Sequence, residues 1–587
     1  MPGKSFINDI TNPVERALRS QLLRDPSLAI IPSEKVLYRR AASQTDKVVL
    51  LSGGGSGHEP AHAGYLGEGM LDVVVAGEIF ASPSSSQILR GITAAQSTKG
   101  TLLIVKNYTG DKLNFGLAAE KAKANGQSVE MVVVGDDVSV EGSSLVGQRG
   151  LAGTAFVHKV AGALATKGYN PDPPVLNWWQ LLILPSRASL KEVAAVAQKA
   201  ASQMATVAAS LDRCTVPGRS APGLAADELE FGMGIHNEPG VRRSKIESLD
   251  STVQSALGML FTPKANMWQP KSGQKVALML NNLGGLSVLE LSVIFEEVAK
   301  QVATRGLEVV RSVVGSFVTS LDGPGFSISV LAVDDELLEL LDAPTRATAW
   351  PRSIEYWTPS QEAQMTSKLP SSEGRKAGLE VSTTVLKGLI ASITKTVTED
   401  EPKITEYDTL AGDGDCGQTL LNGVNGLVKE FDGDQQSTID IGDLFRRIAT
   451  TAENSMGGTS GAIYAIFLNA VANNLVASSG SHNEVAPLLR ASLQLGLGEL
   501  CRYTPARIGH RTLMDALIPF VETFAQDSSI SKAVDEAKKG AEGTRRMEAA
   551  LGRASYVGKE RFEEEGGIPD PGALGIVSIL RGILVEL

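Results

Sequence analysis

Through residue 340, short apolar runs alternate with glycine-bearing turns and alanine-rich stretches of helix length. Lys47–Leu51, Val73–Val75, Leu102–Val105 and Met131–Val134 predict buried strands, and each ends in a polar or glycine turn. Leu190–Leu211 predicts a long helix. A second set of strands follows at Val276–Leu280, Val309–Val314 and Ile328–Val333. Strands alternating with helix-length segments imply an α/β half with mostly parallel sheets, in two subdomains. From Trp350 to Lys376 the periodicity stops, and Trp350-Pro351, Thr358–Ser360 and Leu369–Gly374 have the character of a linker. Beyond it, Val381, Val385, Leu386, Leu389, Ile390, Ile393 and Val397 share one face at a period of 3.6. Similar stripes continue to the C-terminus, enough for about eight helices of ordinary length. The expected organisation is an α/β domain over 1–340, a linker over 341–380 and an all-α domain over 381–587.

Composition narrows the function classes. The 55 Lys and Arg against 66 Asp and Glu give a net charge of −11, which argues against nucleic acid as a partner. With 43% apolar and 21% charged residues the chain has ample material for packed cores. Cys214, Cys416 and Cys501 are too few and too far apart for a disulfide framework or zinc cluster, so a reducing compartment is expected. The first twenty residues carry charge in every turn and lack a signal-type apolar core. No window reaches the ~18 consecutive apolar residues of a membrane span, and Val585-Glu586-Leu587 is not a peroxisomal tripeptide. The expectation is a cytoplasmic protein with no membrane partner.

Several clusters carry chemistry. Ser52-Gly-Gly-Gly-Ser-Gly-His-Glu-Pro60 follows a predicted strand. Its glycines fit either a loop that approaches a ligand or a tight turn, but not the dinucleotide fingerprint or the P-loop. Lys106-Asn-Tyr-Thr-Gly-Asp111 ends another strand, where open α/β sheets bind ligands. His158 sits in an apolar run and is expected to be a satisfied core residue. His236, framed by Gly232, Gly234 and Gly240, suits a nucleophile, a general base or a metal ligand.

The all-α half contains Asp408-Thr-Leu-Ala-Gly-Asp-Gly-Asp-Cys-Gly417. Three carboxylates so close repel one another unless a cation neutralises them, and hard oxygen ligands suit Mg²⁺. Mg²⁺ usually shares its shell with phosphates, so Asp408, Asp413 and Asp415 imply a nucleotide, with an acidic solvated turn as the alternative. An EF-hand is excluded, because its next acidic position is Gly417. Ser455–Gly461 precedes an apolar helix expected from Ala462, and offers backbone N–H groups to an anion. Gly552-Arg-Ala-Ser-Tyr556 supplies a cation in Arg553.

Together with Asn281–Gly285 and Asp570-Pro-Gly572, these motifs resemble the dihydroxyacetone kinase family, specifically its single-chain ATP-dependent members, including triokinases. The resemblance runs nearly end to end. It implies that the α/β half binds a triose and that the helical half is an antiparallel helical barrel carrying ATP and Mg²⁺, or alternatively Mn²⁺. His236 would hold the substrate carbonyl as a covalent hemiaminal, Asp111 would act as general base, and His58 would orient the substrate. Gly55, Ser56, Gly57 and Lys106 would complete that pocket. Asp408, Asp413 and Asp415 would hold the metal. Asp415, Cys416, Gly417, Gln418, Ser460, Gly461, Arg511, Thr512, Asp570, Pro571 and Gly572 would line the nucleotide, with Arg553 neutralising charge during transfer. His510 departs from the acidic residue expected before Arg511-Thr512. The resemblance also implies a homodimer. Alternatives are cyclising FAD-AMP lyase activity on the same metal-nucleotide site, a non-catalytic regulatory binder of the same fold, and a nicotinamide oxidoreductase, the last disfavoured by the glycine spacing.

Overall fold

In a computed structural model, the apolar run that begins at Val49 continues through the glycines to Ser56 as one fully buried strand. The structure describes residues 11–140, 147–167, 187–217, 222–262, 268–351, 354–355, 376–478, 480, 484–551 and 566–586. The chain divides into two compact units, Met1–Gln364 and Met365–Leu587.

The first unit holds two sheets. The six-stranded sheet runs in the order Leu28–Ile31, Val36–Arg39, Val73–Ile79, Val49–Ser56, Thr101–Lys106, Val129–Val134, and its last four strands are parallel. All four strands expected here are present. Helices Ser85–Ala94 and Thr109–Ala124 cover one face, while Thr154–Thr166 and Leu190–Ser202 pack on the apolar residues of the other.

The seven-stranded sheet runs Ile354–Glu355, Glu308–Gly315, Lys275–Asn282, Gly325–Ala332, Met204–Ser210, Glu228–Phe231, Arg242–Lys245. It corrects the expectation of mostly parallel sheets, because only Lys275–Asn282 and Glu308–Gly315 run parallel. The connection 316–324 contains no helix, so the chain returns antiparallel rather than by crossover. The helix expected over Leu190–Leu211 also stops early, at Ser202, and Met204–Ser210 is a strand. Every residue of that strand is buried; it pairs along its whole length with Gly325–Ala332 and at Ala209 and Ser210 with Glu228–Phe231, and this pairing overrides the helix preference of its alanines. The segment assigned to the linker contributes at both ends. Trp350 lies in the first unit's core and Ile354–Glu355 pairs with Glu308–Gly315, while Ala377 and Gly378 donate backbone N–H bonds to Asp440 in the second unit. The punctuation at Thr358–Ser360 and Leu369–Gly374 lies outside the described residues.

The second unit has eight helices among its described residues: Thr383–Ala411, Cys416–Asp432, Ile441–Met456, Gly458–Ala477, Val485–Tyr503, Met514–Asp527, Ile530–Gly543 and Pro571–Glu586. Each packs on the next and the last packs on the first, which closes a barrel of antiparallel helices. The interior is a cavity of about 730 Å³ lined by residues such as Leu386, Leu420, Ile463, Leu489, Leu517 and Ile576. Val381 is not on the first helix. It sits in a two-stranded ribbon, Glu380–Ser382 against Thr438–Asp440, where Asp440 then caps the third helix. Gly458–Ala477 is long and apolar enough to cross a membrane by length and composition, which the count of consecutive apolar residues did not register. In the barrel it buries Phe467, Val471, Ala472 and Leu475.

Candidate functional site

The glycine strand of the first unit ends against Phe80–Ala81. A β-carbon on Gly55 would lie 2.7 Å from the Ala81 nitrogen, and one on Gly53 would lie 2.1 Å from the Val75 carbonyl oxygen. These glycines are therefore required by backbone packing, and they belong to the strand rather than to a turn. Gly54 lies beside Asp111, where a β-carbon would meet Oδ2 at 3.3 Å. Gly57 has a φ of 99°, which turns the chain so that His58 enters the interior.

His58 is fully buried, stacked on Phe80 at 5.2 Å, with Nδ1 2.8 Å from the Thr319 carbonyl oxygen. Its Nε2 lies 3.0 Å from Nε2 of His236. The His236 ring meets Phe80 and Tyr108 edge-on, at 5.1 and 4.7 Å. Its Nδ1 and backbone nitrogen both contact the Glu238 carboxylate, at 2.9 and 2.8 Å. Burial, with Lys106 and His236 adding to it, pushes the His58 imidazole well below its ordinary pKa.

Asp111 sits in the first turn of Thr109–Ala124 and accepts a hydrogen bond from Ser82 Oγ. Burial raises its carboxyl, opposed by the nearby Lys106 charge and the Ser82 bond. Lys106 ends its strand buried, with Nζ 5.8 Å from the Tyr108 ring centroid and no hydrogen-bond partner among the described residues. Burial lowers the pKa of its ammonium. The expected pocket residues thus gather at one place. Phe80, Ser82 and Thr319 join them from distant segments that leave no local spacing signal, and Tyr108 and Glu238 join them from within the motifs of Lys106 and His236, where neither was given a role.

Behind the pocket, His158 is buried with Nε2 3.0 Å from His62 Nδ1, and its own Nδ1 has no partner among the described residues. It is a core residue as expected, but only half satisfied. Burial holds its pKa at about 3, against an ordinary 6.5. Between those values the unfolded chain binds a proton that the folded chain refuses, so stability falls as pH drops, by about 1.4 kcal/mol per pH unit. His158→Gln is expected to flatten the decline of Tm between pH 6.5 and 4. An unchanged slope would return the acid sensitivity to other groups.

In the second unit, antiparallel alternation puts the connections after the first, third, fifth and seventh helices at the same barrel end. That end carries Asp408–Asp415, Gly457–Ser460, His510–Thr512 and Asp570. Carboxylate oxygens of Asp408, Asp413 and Asp415 lie within 4.8 Å of one another. Three hard oxygen donors at that spacing fit one Mg²⁺, whose bonds of about 2.1 Å place opposite ligands ~4 Å apart. Asp408 Oδ2 also accepts from the backbone nitrogens of Asp415 and Cys416, which fixes the loop. Burial and the surrounding Asp408, Asp570 and Asp415 charges push the Cys416 thiol up to about 12.

Gly417 faces the first helix, where a β-carbon would lie 2.4 Å from Thr405 Oγ1, so packing demands this glycine. Gln418 is exposed and bonds Asn422. The loop expected over Ser455–Gly461 shrinks to Gly457 alone, since one helix runs to Met456 and the next starts at Gly458. Left-handed φ values of 63° and 54° at Gly457 and Gly458 allow so abrupt a reversal. Ser460 and Gly461 lie in the first turn of the new helix. Arg511 is buried and donates to the Ile568 carbonyl oxygen, while Thr512 N donates to Asp515, itself missed in the sequence. Asp570 accepts from Ala573 N ahead of Pro571 and Gly572, and burial pushes its carboxyl up to about 6. Arg553 and the rest of Gly552–Tyr556 lie outside the described residues.

The fold and these sites define a two-unit protein with a histidine pocket in its α/β part and an acidic metal-type loop on its helical barrel. The Dak1 domain matches residues 20–173 and 183–349, and the DAK2 domain matches 410–585. A dihydroxyacetone kinase of Pichia angusta is 43% identical over 95% of this chain and 94% of its own. A triokinase/FMN cyclase of Homo sapiens is 38% identical with full coverage of both chains. The crystal structure of the dihydroxyacetone kinase from C. freundii in complex with AMP-PNP and Mg²⁺ superposes with a TM-score of 0.63 at 30% identity, covering all of both chains. The chain belongs to the dihydroxyacetone kinase family.

Proposed function

We propose that this protein transfers the γ-phosphoryl group of ATP to dihydroxyacetone, and to D-glyceraldehyde, with the triose held covalently on His236. The observation that carries the reading is the pairing of buried His58 with partly buried His236, whose two Nε2 atoms meet 3.0 Å apart within reach of Asp111 and Lys106. His236 Nε2 forms the bond to the carbonyl carbon, and the displaced π pair collects on oxygen. His58, whose Nδ1–H is committed to the Thr319 carbonyl, carries a proton to that oxygen through Nε2. The tether converts a small, weakly held substrate into a positioned one. It also favours carbonyl compounds over glycerol. Asp111, held by Ser82, takes the proton of the attacking hydroxyl.

In the barrel, Asp408, Asp413 and Asp415 would hold Mg²⁺ or Mn²⁺, which when bound neutralises phosphate charge. The first turn at Gly458–Gly461 presents backbone N–H groups to the nucleotide, and Arg511, Thr512 and Asp570 shape the same barrel end. A homodimer and a cytoplasmic location belong to the same proposal, and sedimentation tests the first of them. A kinase assay across dihydroxyacetone, D-glyceraldehyde, glycerol and FAD tests the reading; no ATP-dependent turnover of either triose would overturn it. Asp111→Asn is expected to lower kcat roughly 10²–10⁴-fold, the range for a lost general base, while the adduct on His236 persists by mass spectrometry.

A second reading, cyclising cleavage of FAD at the metal loop, is supported by the triokinase/FMN cyclase name of the Homo sapiens relative. It requires the aspartates but not His236, so His236→Ala separates the two activities.

A further inference from the structure

Both oxygens of Glu238 are committed to one residue. Oε2 accepts the backbone N–H of His236 at 2.8 Å, and Oε1 lies 2.9 Å from its ring Nδ1. The motif is built to admit this carboxylate: a β-carbon on Gly234 would lie 2.1 Å from Oε2, and Gly234 N donates to the Glu238 carbonyl oxygen at 3.0 Å. Burial alone would raise the Glu238 carboxyl, but the bonds and charge of His236 outweigh it and hold it at about 2. An ionised carboxylate only accepts, so Nδ1 of His236 carries a proton.

We propose that Glu238 is a positioning residue that holds His236 in the Nδ1–H form, keeps Nε2 as the nucleophilic nitrogen, and balances the positive charge the ring carries in the adduct. The last two parts rest on the covalent reading above. The tautomer does not, since it follows from the side chains themselves.

Proton accounting supports the assignment. His58 Nδ1 faces a carbonyl oxygen, which cannot donate, so that nitrogen is also protonated. The two Nε2 atoms, 3.0 Å apart, then need a single proton between them. With that proton in place the pair would hold three ring protons and one positive charge, which burial and Lys106 oppose at His58, so the charge belongs to the reacting state. During attack the Nε2 lone pair of His236 forms the C–N bond, and the carbonyl π pair moves to oxygen. The shared proton passes through His58 to that oxygen. His58 ends neutral and the positive charge ends on the His236 ring, with Nδ1–H still on Glu238. Atoms and charge are conserved, and the carboxylate faces a cation throughout. Other charged or titratable groups near the ring do not replace it. Lys106 is cationic and opposes the charge, Tyr108 presents a ring edge-on, and Asp111 is bound to Ser82. Arg149 is tied to Asp137 and to the Gly232 carbonyl oxygen.

Glutamine at this position has one acceptor and one donor end facing two N–H donors. Turning its NH₂ toward the ring relieves the conflict only if the proton leaves Nδ1 for Nε2, which removes the attacking lone pair. The test is ¹⁵N NMR of imidazole-labelled enzyme, with intact-protein mass spectrometry after dihydroxyacetone and reduction. The wild type is expected to show protonated Nδ1 at His236. Glu238→Gln is expected to shift the proton to Nε2, abolish the adduct and lower kcat roughly 10³–10⁴-fold, as for a triad histidine in the wrong tautomer. Glu238→Asp, which keeps the charge, is expected to keep Nδ1–H and recover part of the adduct. A Gln variant with Nδ1 still protonated, or with wild-type adduct yield, would overturn the assignment. A wild type that forms no adduct would instead sink the covalent reading, and the tautomer measurement would still decide the positioning role of Glu238.

Discussion

Replacing His236 by alanine is expected to eliminate the dihydroxyacetone adduct and to reduce triose phosphorylation by at least ~10³-fold, while nucleotide binding stays unchanged. The size follows from the role of a tether. Well-oriented intramolecular reactions reach effective molarities worth roughly 7–11 kcal/mol, and non-covalent binding of a three-carbon substrate recovers only part of that. His236 is only partly buried and touches Tyr108, Phe80, His58 and Glu238, none of which lies in the barrel. Its loss therefore leaves the metal loop intact. The measurement pairs kinase assays with isothermal titration of Mg-nucleotide. Near-wild-type kcat, or an adduct on another residue, would remove His236 from the chemistry.

The second large effect is expected at the aspartate loop. Asp413→Asn and Asp415→Asn each withdraw one formal charge from a cluster whose oxygens lie within 4.8 Å of one another. At an effective dielectric near 20, a unit charge 4 Å away is worth ~4 kcal/mol, and twice that for a divalent ion. Asp413 and Asp415 are exposed, so solvent screening brings the expected loss down to roughly 10²-fold in metal affinity. Mg²⁺ titration of the kinase rate reads this directly. Adduct formation on His236 should be untouched by either change. An unaltered metal requirement would make the loop an acidic turn and nothing more.

Much of this was legible in the chain, for local reasons. Uniformly apolar runs of strand length located the four parallel strands of the first sheet, and the 3.6-residue stripe located the first barrel helix. The Asp408–Gly417 spacing marked a metal-type loop because carboxylates so close in sequence remain close in space. Errors arose where distant partners decide. Met204–Ser210 has the alanines of a helix, yet it is a strand because it pairs along its whole length with Gly325–Ala332. Ser455–Gly461 has the composition of a loop, yet two left-handed glycines compress the reversal to Gly457. Trp350 sits among linker-type residues, yet it packs against Phe156 and Phe317 of the first core.

The sequence by itself determined the α/β-then-all-α order and the spacing of the acidic loop, because each depends on residues near one another along the chain, and it named candidate reactive side chains only through the family resemblance. Only the tertiary structure decided which of them meet. His58 and His236 are 178 positions apart, and Thr319, which orients His58, is 261 positions from it. Those contacts exist because two sheets converge on one pocket. Likewise, Asp408, Gly458, Arg511 and Asp570 share a barrel end because antiparallel helices return every second connection to the same side. Periodicity along a chain records which face of an element is buried, but not which other element buries it.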